Sequence, residues 1–482
     1  MNPQWERRDF LKQLALGGFV LTSPLLWGKK LKQKAPHGRR NIIFIMADDH
    51  ASHAMSCYGS QLLQTPQIDR LAQNGVLFQN CFCTNSICAP SRAVILTGKY
   101  SHINGVKDNR TAFDGSQATL PKLLKQNGYQ TAMLGKWHLK SEPTGFDYWC
   151  VLPGQGQYVD PQFNRMGEKI QTKGYVTDII TDFALDWLKG RDLEKPFFLM
   201  CHHKAPHRRW IPDAEHQDAF SGKTFPLPET FDDDYTTRSK AASSATMTIE
   251  RHLLPKDLKK APPEGMEGHD LKVWKYQRYM QDYLACVASI DDNMGRFLDY
   301  LEEEGLVENT MIVYTSDQGF YLGDHGWFDK RFMYEESLRM PLLIQAPGVS
   351  LPGSVCRDMV LNVDFAPTFL DFAGVSVPND MQGGSFLPLL KGEKPTDWRT
   401  SVYYHYFEYP AVHSVKRHYG IRTQRYKLIH FYNDIDAWEL FDLESDPHEL
   451  HNLISDPDYV EIRKDLEKEL AVLREQFRDS EG

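Results

Sequence analysis

The sequence of 482 residues predicts an α/β protein in which helices cover both faces of a mostly parallel sheet. A smaller C-terminal domain of antiparallel sheet plus helix is expected to follow. Two observations lead to this fold class. Apolar runs alternate with amphipathic stretches between residues 41 and 315, and from about residue 400 the pattern changes to short strands. A βαβα order favours a parallel sheet between helical layers.

The first elements set the pattern. Residues 41–47 form a continuous apolar run that ends at two acids, which is typical of a central parallel strand buried on both faces. Thr65 and Pro66 are suited to begin a helix that runs to Asn74, and Gly75 ends it before a strand over 76–79. The same succession predicts helices over 119–127 and 176–189, with strands over 129–134 and 197–201.

Later elements follow the same reasoning. One apolar face predicts a long helix over 275–304, and a strand follows over 311–315. Residues 213–274 are polar and rich in turn formers, which is typical of a binding loop or a mobile segment. The C-terminal strands are predicted over 402–407, 419–422, 426–431 and 438–442, with a final helix over 457–479.

The N-terminus carries an export pattern. Arg7 and Arg8 precede an apolar run from Leu14 to Trp27, and four lysines follow it. A basic amphipathic helix is the alternative interpretation. Together with the predicted elements, this pattern divides the chain into a twin-arginine-type signal over 1–35, a main α/β domain over 36–395 and a C-terminal subdomain over 396–482. Export by the twin-arginine machinery predicts a periplasmic or secreted protein.

The charge distribution limits the partners. Residues 1–40 hold nine lysines and arginines against Glu6 and Asp9, whereas the whole chain has a net charge of −9. The remaining chain is therefore acidic, which argues against nucleic acid as a partner. An anionic ligand must be captured locally, by a few cations in a cleft. The eight cysteines include no pair at zinc-site spacing.

The segment from Cys88 to Gly98 reads C-A-P-S-R-A-V-I-L-T-G. Pro90 favours a first helical turn, so Cys88 is expected at a helix N-terminus with Arg92 about one turn further on. The free N–H groups and the helix dipole favour an anion there. Taken alone, the cysteine is either a buried structural residue or a thiolate nucleophile.

Two acidic pairs are expected at one edge of the sheet. Asp48 and Asp49 end the first strand, and Asp317 and Gln318 end the strand over 311–315. Three carboxylates in one crevice repel each other unless a cation lies among them. Oxygen ligands select a hard ion, and calcium tolerates irregular geometry better than magnesium. A solvated turn is the alternative for either pair alone.

Cationic residues follow the other strands. Lys136 and His138 are two residues apart, so they would share a face if the strand continued. His207 follows the strand over 197–201, and Lys330 follows a glycine-containing turn. Each alone is more often a surface group. Zinc is an alternative ligand for the histidines of this region, which are His202, His203 and His207. Pro206 argues against a helix that would present two of them together.

The string C-x-P-S-R followed by L-T-G resembles the signature of the formylglycine-dependent (type I) sulfatases of the alkaline-phosphatase-like superfamily. The resemblance covers about residues 40–455 and implies an alkaline-phosphatase-like fold. It implies that a maturation enzyme oxidises Cys88 to formylglycine, whose hydrate attacks sulfur with one hydroxyl. The second hydroxyl then expels sulfate by re-forming the aldehyde, which avoids hydrolysis of a second sulfate ester.

The resemblance also implies residue roles. Calcium would be bound by Asp48, Asp49, Asp317 and Gln318, with converted Cys88 completing the shell. Many relatives carry Asn or His where this chain has Gln318, which leaves the coordination open.

For the reaction itself, the resemblance implies that Lys136, His207 and Lys330 hold the sulfate oxygens. Arg92 and His138 would steady the hydrated aldehyde, with His138 as the base. His207 or Lys330 would protonate the leaving oxygen, and Asp317 would accept the proton of the attacking hydroxyl.

The substrate is expected to be a sulfated carbohydrate. Segments 145–149, 152–156, 381–383 and 409–413 are similar to bacterial N-acetylglucosamine-6-sulfatases, which implies a 6-O-sulfated N-acetylglucosamine. His413 is a candidate substrate-binding residue, as are His418 and Arg422, although exposed polar positions of a sheet explain them equally well.

Two other functions stay open. One is a phosphate or phosphonate monoester hydrolase of the same superfamily. The other is a non-catalytic glycan-binding protein on a sulfatase scaffold, against which the intact set of implied catalytic residues argues.

Overall fold

The computed structural model of the protein describes Gly38 and residues 40–482, so the predicted export signal over 1–35 lies outside the described residues. The strands of this part are β1 Asn41–Ala47, β2 Val76–Phe78, β3 Cys81–Phe82, β4 Gln130–Lys136, β5 Tyr148–Leu152, β6 Gln162–Arg165, β7 Glu168–Gln171, β8 Phe197–His202, β9 Thr310–Ser316, β10 Tyr321–Leu322, β11 Phe328–Asp329, β12 Leu342–Gln345, β13 Ser354–Cys356, β14 Val360–Leu361, β15 Ser401–Tyr406, β16 His418–Thr423, β17 Tyr426–Phe431 and β18 Ala437–Asp442.

The α-helices of the same part are α1 Pro66–Asn74, α2 Cys88–Thr97, α3 Ser101–Asn104, α4 Leu120–Gln126, α5 Val176–Lys189, α6 Lys240–Ser244, α7 Ile249–His252, α8 Pro255–Leu258, α9 Gly268–Glu303, α10 Glu335–Leu338, α11 Phe365–Phe372, α12 Leu387–Leu390 and α13 Val460–Gln476. Within the described range, no helix combines the length and the apolar character needed to cross a membrane.

A ten-stranded mixed sheet forms the centre, in the order β13-β2-β12-β9-β1-β8-β4-β5-β6-β7. The five strands from β9 to β5 are parallel to one another. Strand β12 enters antiparallel between β9 and β2, and the β6–β7 edge is antiparallel. The prediction of a mostly parallel α/β sheet with a smaller antiparallel C-terminal sheet is confirmed.

Strand β1 lies in the middle of the parallel part. All seven of its residues are buried, as its continuous apolar run predicts. It pairs with β8 on one side and β9 on the other, and β4 lies beyond β8. The carboxyl ends of β9, β1, β8 and β4 therefore open side by side at one edge of the sheet.

The smaller sheet has the order β15-β16-β17-β18, with every pairing antiparallel. Helix α13 lies against it and buries Leu466 and Leu470. The predicted domain division after residue 395 falls between α12 and β15, and it remains a prediction.

The largest departure from the sequence prediction lies in residues 213–274. This segment contains the short helices α6, α7 and α8, and α9 begins at Gly268 rather than near residue 275. Buried apolar side chains anchor it, among them Phe231, Met247 and Leu258. The first turn of α9 is polar and has no apolar face to mark it, and Lys272 in the second turn binds the carbonyl oxygen of Phe231.

Candidate active site

The acidic pairs meet where β1 and β9 end. Asp48 and Asp49 follow β1, Asp317 and Gln318 follow the parallel strand β9, and all four are buried. One ligand oxygen from each of the three aspartates lies within 4.8 Å of the others. The sequence prediction that the two pairs share one crevice is confirmed.

The cysteine lies at the edge of this crevice. Helix α2 begins at Cys88, and the N–H of Ala89 donates to Asn109 Oδ1 at 3.0 Å. Cys88 Sγ lies 3.5 Å from Asp48 Oδ1 and 4.0 Å from Lys136 Nζ. Burial raises the pKa of the Cys88 thiol well above its usual value, although the nearby lysines oppose this. The residue is therefore a thiol at neutral pH, which disfavours the alternative of a thiolate nucleophile.

Each carboxylate of the crevice has a cationic partner. Lys136 Nζ binds Asp48 and Lys330 Nζ binds Asp49. The Arg92 guanidinium donates to Asp317 Oδ2 through Nε at 3.1 Å and through Nη2 at 2.9 Å. Both residues are buried. Arg92 Nη2 also lies 3.6 Å from Asp48 Oδ1, so these pairs bring Lys136, Lys330 and Arg92 together around the acids, as the resemblance implies.

The acids retain unused oxygen atoms. The buried Asp49 Oδ2 and Gln318 Oε1 accept no hydrogen bond from the described residues, while Gln318 Nε2 donates to Asp317 Oδ1 at 2.7 Å. Burial raises the pKa of Asp49 to about 7; Asp48 and Asp317 add to this rise, and Lys330 opposes it. Asp48 differs, because burial raises its pKa but Lys136, His207, Arg92 and Lys330 together lower it well below the usual value.

These features fit a hard divalent cation. Oxygen atoms on opposite sides of a calcium ion lie about 4.8 Å apart, since each bond is about 2.4 Å long. One oxygen of each of the three aspartates lies within this distance of the other two, which is close enough for one ion to contact all three. A cation would also use the two unpaired oxygens and offset the repulsion that raises the pKa of Asp49.

The histidines occupy different places around the crevice. His207 Nε2 lies 3.8 Å from Asp49 Oδ2, and its Nδ1–H donates to the carbonyl oxygen of Arg208 at 2.6 Å. Burial and the charge of Lys136 lower the pKa of His207 well below its usual value. Burial, again followed by Lys136, lowers the pKa of His138 to about 2. His138 is therefore neutral at pH 7 and available as a proton acceptor.

One local expectation about His138 is wrong. Strand β4 ends at Lys136, and His138 has a left-handed backbone with φ 57°, so the two side chains do not share a strand face. His138 still lies in the field of Lys136, Asp48 and Arg92. It reaches the crevice through a turn rather than through the strand.

A zinc site that combines His202 or His203 with His207 finds no support in the described range, where His207 groups instead with Asp48 and Cys88. His203 Nε2 faces Cys201 Sγ at 4.0 Å, and His202 Nδ1 faces the carbonyl oxygen of Lys136 at 3.3 Å. Among the described residues, no group of potential metal ligands unites His202 or His203 with His207.

A wall of ion pairs adjoins Lys330. His413 Nε2 lies 3.2 Å from Asp329 Oδ2, and its Nδ1–H donates to the carbonyl oxygen of Thr246 at 2.8 Å. Arg331 donates to Asp329 at 3.1 Å and to Glu408 at 2.7 Å. His413 is 7% exposed and both its nitrogens have protein partners, so its role as a sugar contact stays a prediction.

The other two candidate sugar contacts are also internally bonded. His418 Nδ1 faces the carbonyl oxygen of Lys416, and its Nε2 accepts from the N–H of Met333 at 3.1 Å. The Arg422 guanidinium binds Glu335 at 3.2 Å.

Sequence reasoning missed four residues that shape this site. Asn109 Oδ1 accepts from the N–H of Ala89 in the first turn of α2, and the Asn109 N–H donates to Glu408 at 3.2 Å. Arg331 and Asp329 link Glu408 to His413. The adjacency of Asp329 and Arg331 to Lys330 was the available signal, whereas nothing in the sequence marks Asn109 or Glu408.

Comparison with known families shows which proteins this chain resembles. Residues 40–375 match the family model described as Sulfatase, and residues 323–476 match N-sulphoglucosamine sulphohydrolase, C-terminal. The chain is 51% identical over 495 residues to a Bacteroides thetaiotaomicron protein named N-acetylglucosamine-6-O-sulfatase, covering 93% of this chain and 88% of that protein. It is 28% identical over 490 residues to a multifunctional alkaline phosphatase superfamily protein of Trinickia caryophylli, covering 89% and 93%.

Solved structures agree. One, described as a complex with its substrate D-glucosamine-2-N,6-O-disulfate, superposes with a TM-score of 0.90 at 51% identity, covering 92% of this chain and 99% of that one. The phosphonate monoester hydrolase of Agrobacterium radiobacter superposes with a TM-score of 0.72 at 23% identity, covering 91% and 96%, a likeness of fold alone. The chain therefore belongs to the sulfatase family, and it is an enzyme that hydrolyses sulfate esters.

Proposed function

We propose that this enzyme removes the 6-O-sulfate from N-acetylglucosamine or a related glucosamine in a sulfated glycan, with converted Cys88 as nucleophile. The supporting observation is the position of Cys88 Sγ beside the Asp48–Lys136 ion pair, 3.5 Å from Asp48 Oδ1 and 4.0 Å from Lys136 Nζ. The name of the 51% identical relative and the bound disulfate of the similar structure support the choice of sugar.

Conversion of Cys88 to formylglycine is an oxidation at carbon with loss of sulfur, which a maturation enzyme would catalyse with an external oxidant. The hydrated aldehyde provides a nucleophilic oxygen and releases sulfate by elimination, which an unmodified serine or cysteine does not offer. The neutral, buried thiol is consistent with a residue that is a precursor rather than the nucleophile itself.

Calcium is the proposed cofactor. Asp48, Asp49, Asp317 and Gln318 would hold it, with converted Cys88 as a further ligand. Bound calcium supplies positive charge that polarises a sulfate oxygen. Lys136, Lys330 and Arg92 already neutralise one carboxylate each, so the ion's two positive charges would give the crevice the excess that an anionic substrate requires.

The protein's own cations position the sulfate. Lys136, His207 and Lys330 lie around Asp48 and Asp49 and would donate to sulfate oxygens, where they offset charge that grows in the transition state. Arg92 orients Asp317 through its two hydrogen bonds. This pairing fixes the carboxylate that is proposed to accept the proton of the attacking hydroxyl.

Two protons remain to be moved. The neutral His138 is the proposed base for the elimination step. His207 or Lys330 would protonate the leaving sugar oxygen. Substrates with different leaving groups distinguish these two candidates for the acid. Whichever of H207Q and K330M lacks the acid should lose much less activity on an aryl sulfate than on a sugar sulfate.

The function is tested by sulfate release from a panel of 6-O-, 2-O- and 4-O-sulfated sugars, with calcium and with protein co-expressed with a maturation enzyme. Preferred release from 6-O-sulfated N-acetylglucosamine is expected. A preference for the 2-O or 4-O position would contradict the proposed substrate. Faster turnover of a phosphonate monoester than of any sulfate ester would favour the rival hydrolase function, which the family match opposes.

We also propose export to the periplasm or beyond by the twin-arginine route. The Arg7-Arg8 pattern and the apolar run after it support this location. The test is cell fractionation of the full chain and of its R7K/R8K variant. Export of the native chain with cytoplasmic retention of the variant is expected, and retention of both would contradict the proposal.

A further inference from the structure

One buried lysine near the crevice differs from the others. The structure describes five buried lysines, and four of them have carboxylate partners: Lys99, Lys136, Lys330, Lys427. Lys204 is the fifth. It is 3% exposed, and its ammonium has no hydrogen bond or ion pair with any described residue. The ammonium lies over the face of the Tyr158 ring, whose centre is 4.7 Å from Nζ.

The lysine is built into the active-site loop. Its carbonyl oxygen accepts from the N–H of His207 at 3.0 Å, and the next carbonyl, of Ala205, accepts from the N–H of Asp48 at 3.1 Å. The Tyr158 hydroxyl donates to the carbonyl oxygen of His207 at 2.6 Å. The same short segment therefore holds Lys204, a proposed sulfate-binding histidine and the first acid of the crevice.

Such a group is expected to have a ligand. Lysine is almost never fully buried without a partner, because desolvation of the ammonium is unfavourable. Burial lowers the pKa of Lys204 to about 8, and the charge of Lys136 adds to this, whereas Asp48 and Asp49 act against it. The three carboxylates of the crevice are already matched by Lys136, Lys330 and Arg92, so Lys204 is a surplus positive charge.

We propose that Lys204 is a further substrate-binding residue, whose ammonium binds a sulfate oxyanion of the substrate. This inference rests on the proposed function, because it requires a sulfated sugar in the crevice. Two sources offer the same chemistry: the sulfate ester that is cleaved, and a second sulfate on the same sugar. The similar solved structure was described with a glucosamine that carries both N- and O-sulfates.

The test uses K204M, which keeps the length and apolar stem of the side chain and removes the charge. The protein is co-expressed with a maturation enzyme and assayed with calcium on N-acetylglucosamine-6-sulfate and on glucosamine-2-N,6-O-disulfate. We expect kcat/KM to fall about 10-fold to 100-fold, the usual effect of losing a hydrogen bond to a charged group. A loss on both sugars assigns Lys204 to the sulfate that is cleaved, and a loss on the disulfate alone assigns it to the second sulfate.

Stability provides a second readout, because a merely structural lysine would behave differently. We expect K204M to retain or raise Tm, since it removes an unpaired buried charge. The matched control is K427M, which leaves Glu335 and Glu449 without their buried lysine and should lower Tm while kcat/KM of the folded protein is unchanged. K204Q repeats the kinetic test if K204M does not fold.

Unchanged kcat/KM on both sugars, in whichever uncharged variant folds, would overturn the inference about Lys204. A lower kcat/KM on the monosulfated sugar or on both supports it, as does a loss on the disulfate alone. Wild-type protein in the same assay separates this result from the proposed function: if wild type releases no sulfate from either sugar, the proposed function itself has failed.

Discussion

Two buried polar clusters in this protein are built in opposite ways. The crevice consists of Asp48, Asp49, Asp317 and Gln318 beside Cys88. The C-terminal cluster consists of Tyr403, His405, Tyr432 and Asp479. In the C-terminal cluster one carboxylate accepts from the Tyr403 hydroxyl at 2.8 Å and from His405 Nδ1–H at 2.6 Å. His405 Nε2 accepts from the Tyr432 hydroxyl at 2.6 Å.

The C-terminal cluster is closed, whereas the crevice is open. Each of these C-terminal side chains has a protein partner, and the contacts join β15 and the segment after β17 to the chain end. In the crevice three acids crowd together, and Asp49 Oδ2 and Gln318 Oε1 accept no hydrogen bond from any described residue. A satisfied network stabilises a fold, while unsatisfied buried acceptors call for a ligand. Substitutions in the two clusters should therefore have different effects on activity and stability.

The largest effect is expected for the nucleophile. C88A should reduce sulfate release by at least about 10⁴-fold, because loss of a covalent nucleophile removes the reaction path. Its Tm should stay close to that of wild type. C83A is the matched control, since Cys83 is a buried cysteine of the same segment. Full activity of C88A with wild-type Tm would contradict the assignment of the nucleophile.

The metal should distinguish the two clusters. Calcium at 100 times its dissociation constant should stabilise wild type by about 2.7 kcal/mol, measured by thermal unfolding with and without a chelator. D49N should lose this calcium-dependent rise in Tm, together with at least about 100-fold of the activity.

D479N serves as the counterpart in the closed cluster. It should lower Tm while it keeps the full calcium-dependent rise. Equal calcium responses in wild type and D49N would contradict the assignment of Asp49 as a ligand.

The closed cluster should respond to acid. Burial lowers the pKa of His405 from 6.5 to about 4, although Asp479 opposes this. The unfolded chain therefore binds the proton first as the pH falls. The contribution of His405 to the free energy of unfolding is fully present above pH 6.5. It falls by about 3 kcal/mol as the pH approaches 4. Urea unfolding of wild type and H405Q across this range measures it, and an equally steep fall in H405Q would contradict the role of His405.

The smallest effect is expected at His413. Its nitrogens hold Asp329 and the carbonyl oxygen of Thr246, so H413Q should loosen the wall beside Lys330 rather than remove a catalytic group. We expect kcat/KM to fall about 3-fold to 10-fold, mostly through KM, the effect of about one weakened hydrogen bond. A loss of several hundred-fold in kcat would instead give His413 a part in the chemistry.

The sequence predicted most where local patterns carry the structure. Helix α5 and strand β17 have the predicted bounds because their apolar patterns begin and end sharply. The acidic pairs were placed correctly because residues at the ends of adjacent parallel strands meet at one edge. The start of α9 was missed because its first turn is polar.

Long-range partners could not be predicted. Glu408 contacts Asn109 across 299 residues and Arg331 across 77, and only the folded chain creates these pairs. The lack of a carboxylate partner for Lys204 could not be predicted either, because it becomes visible only when all of its neighbours in the fold are known. The closed C-terminal cluster likewise depends on the chain end reaching β15.

The most direct test of this account is the mass of the peptide that contains Cys88, from active protein co-expressed with a maturation enzyme. We expect a loss of about 18 Da relative to the unmodified cysteine, the change from thiol to aldehyde that the proposed nucleophile requires. An unmodified Cys88 in protein that still releases sulfate would contradict it, because the open crevice would then act through a different nucleophile.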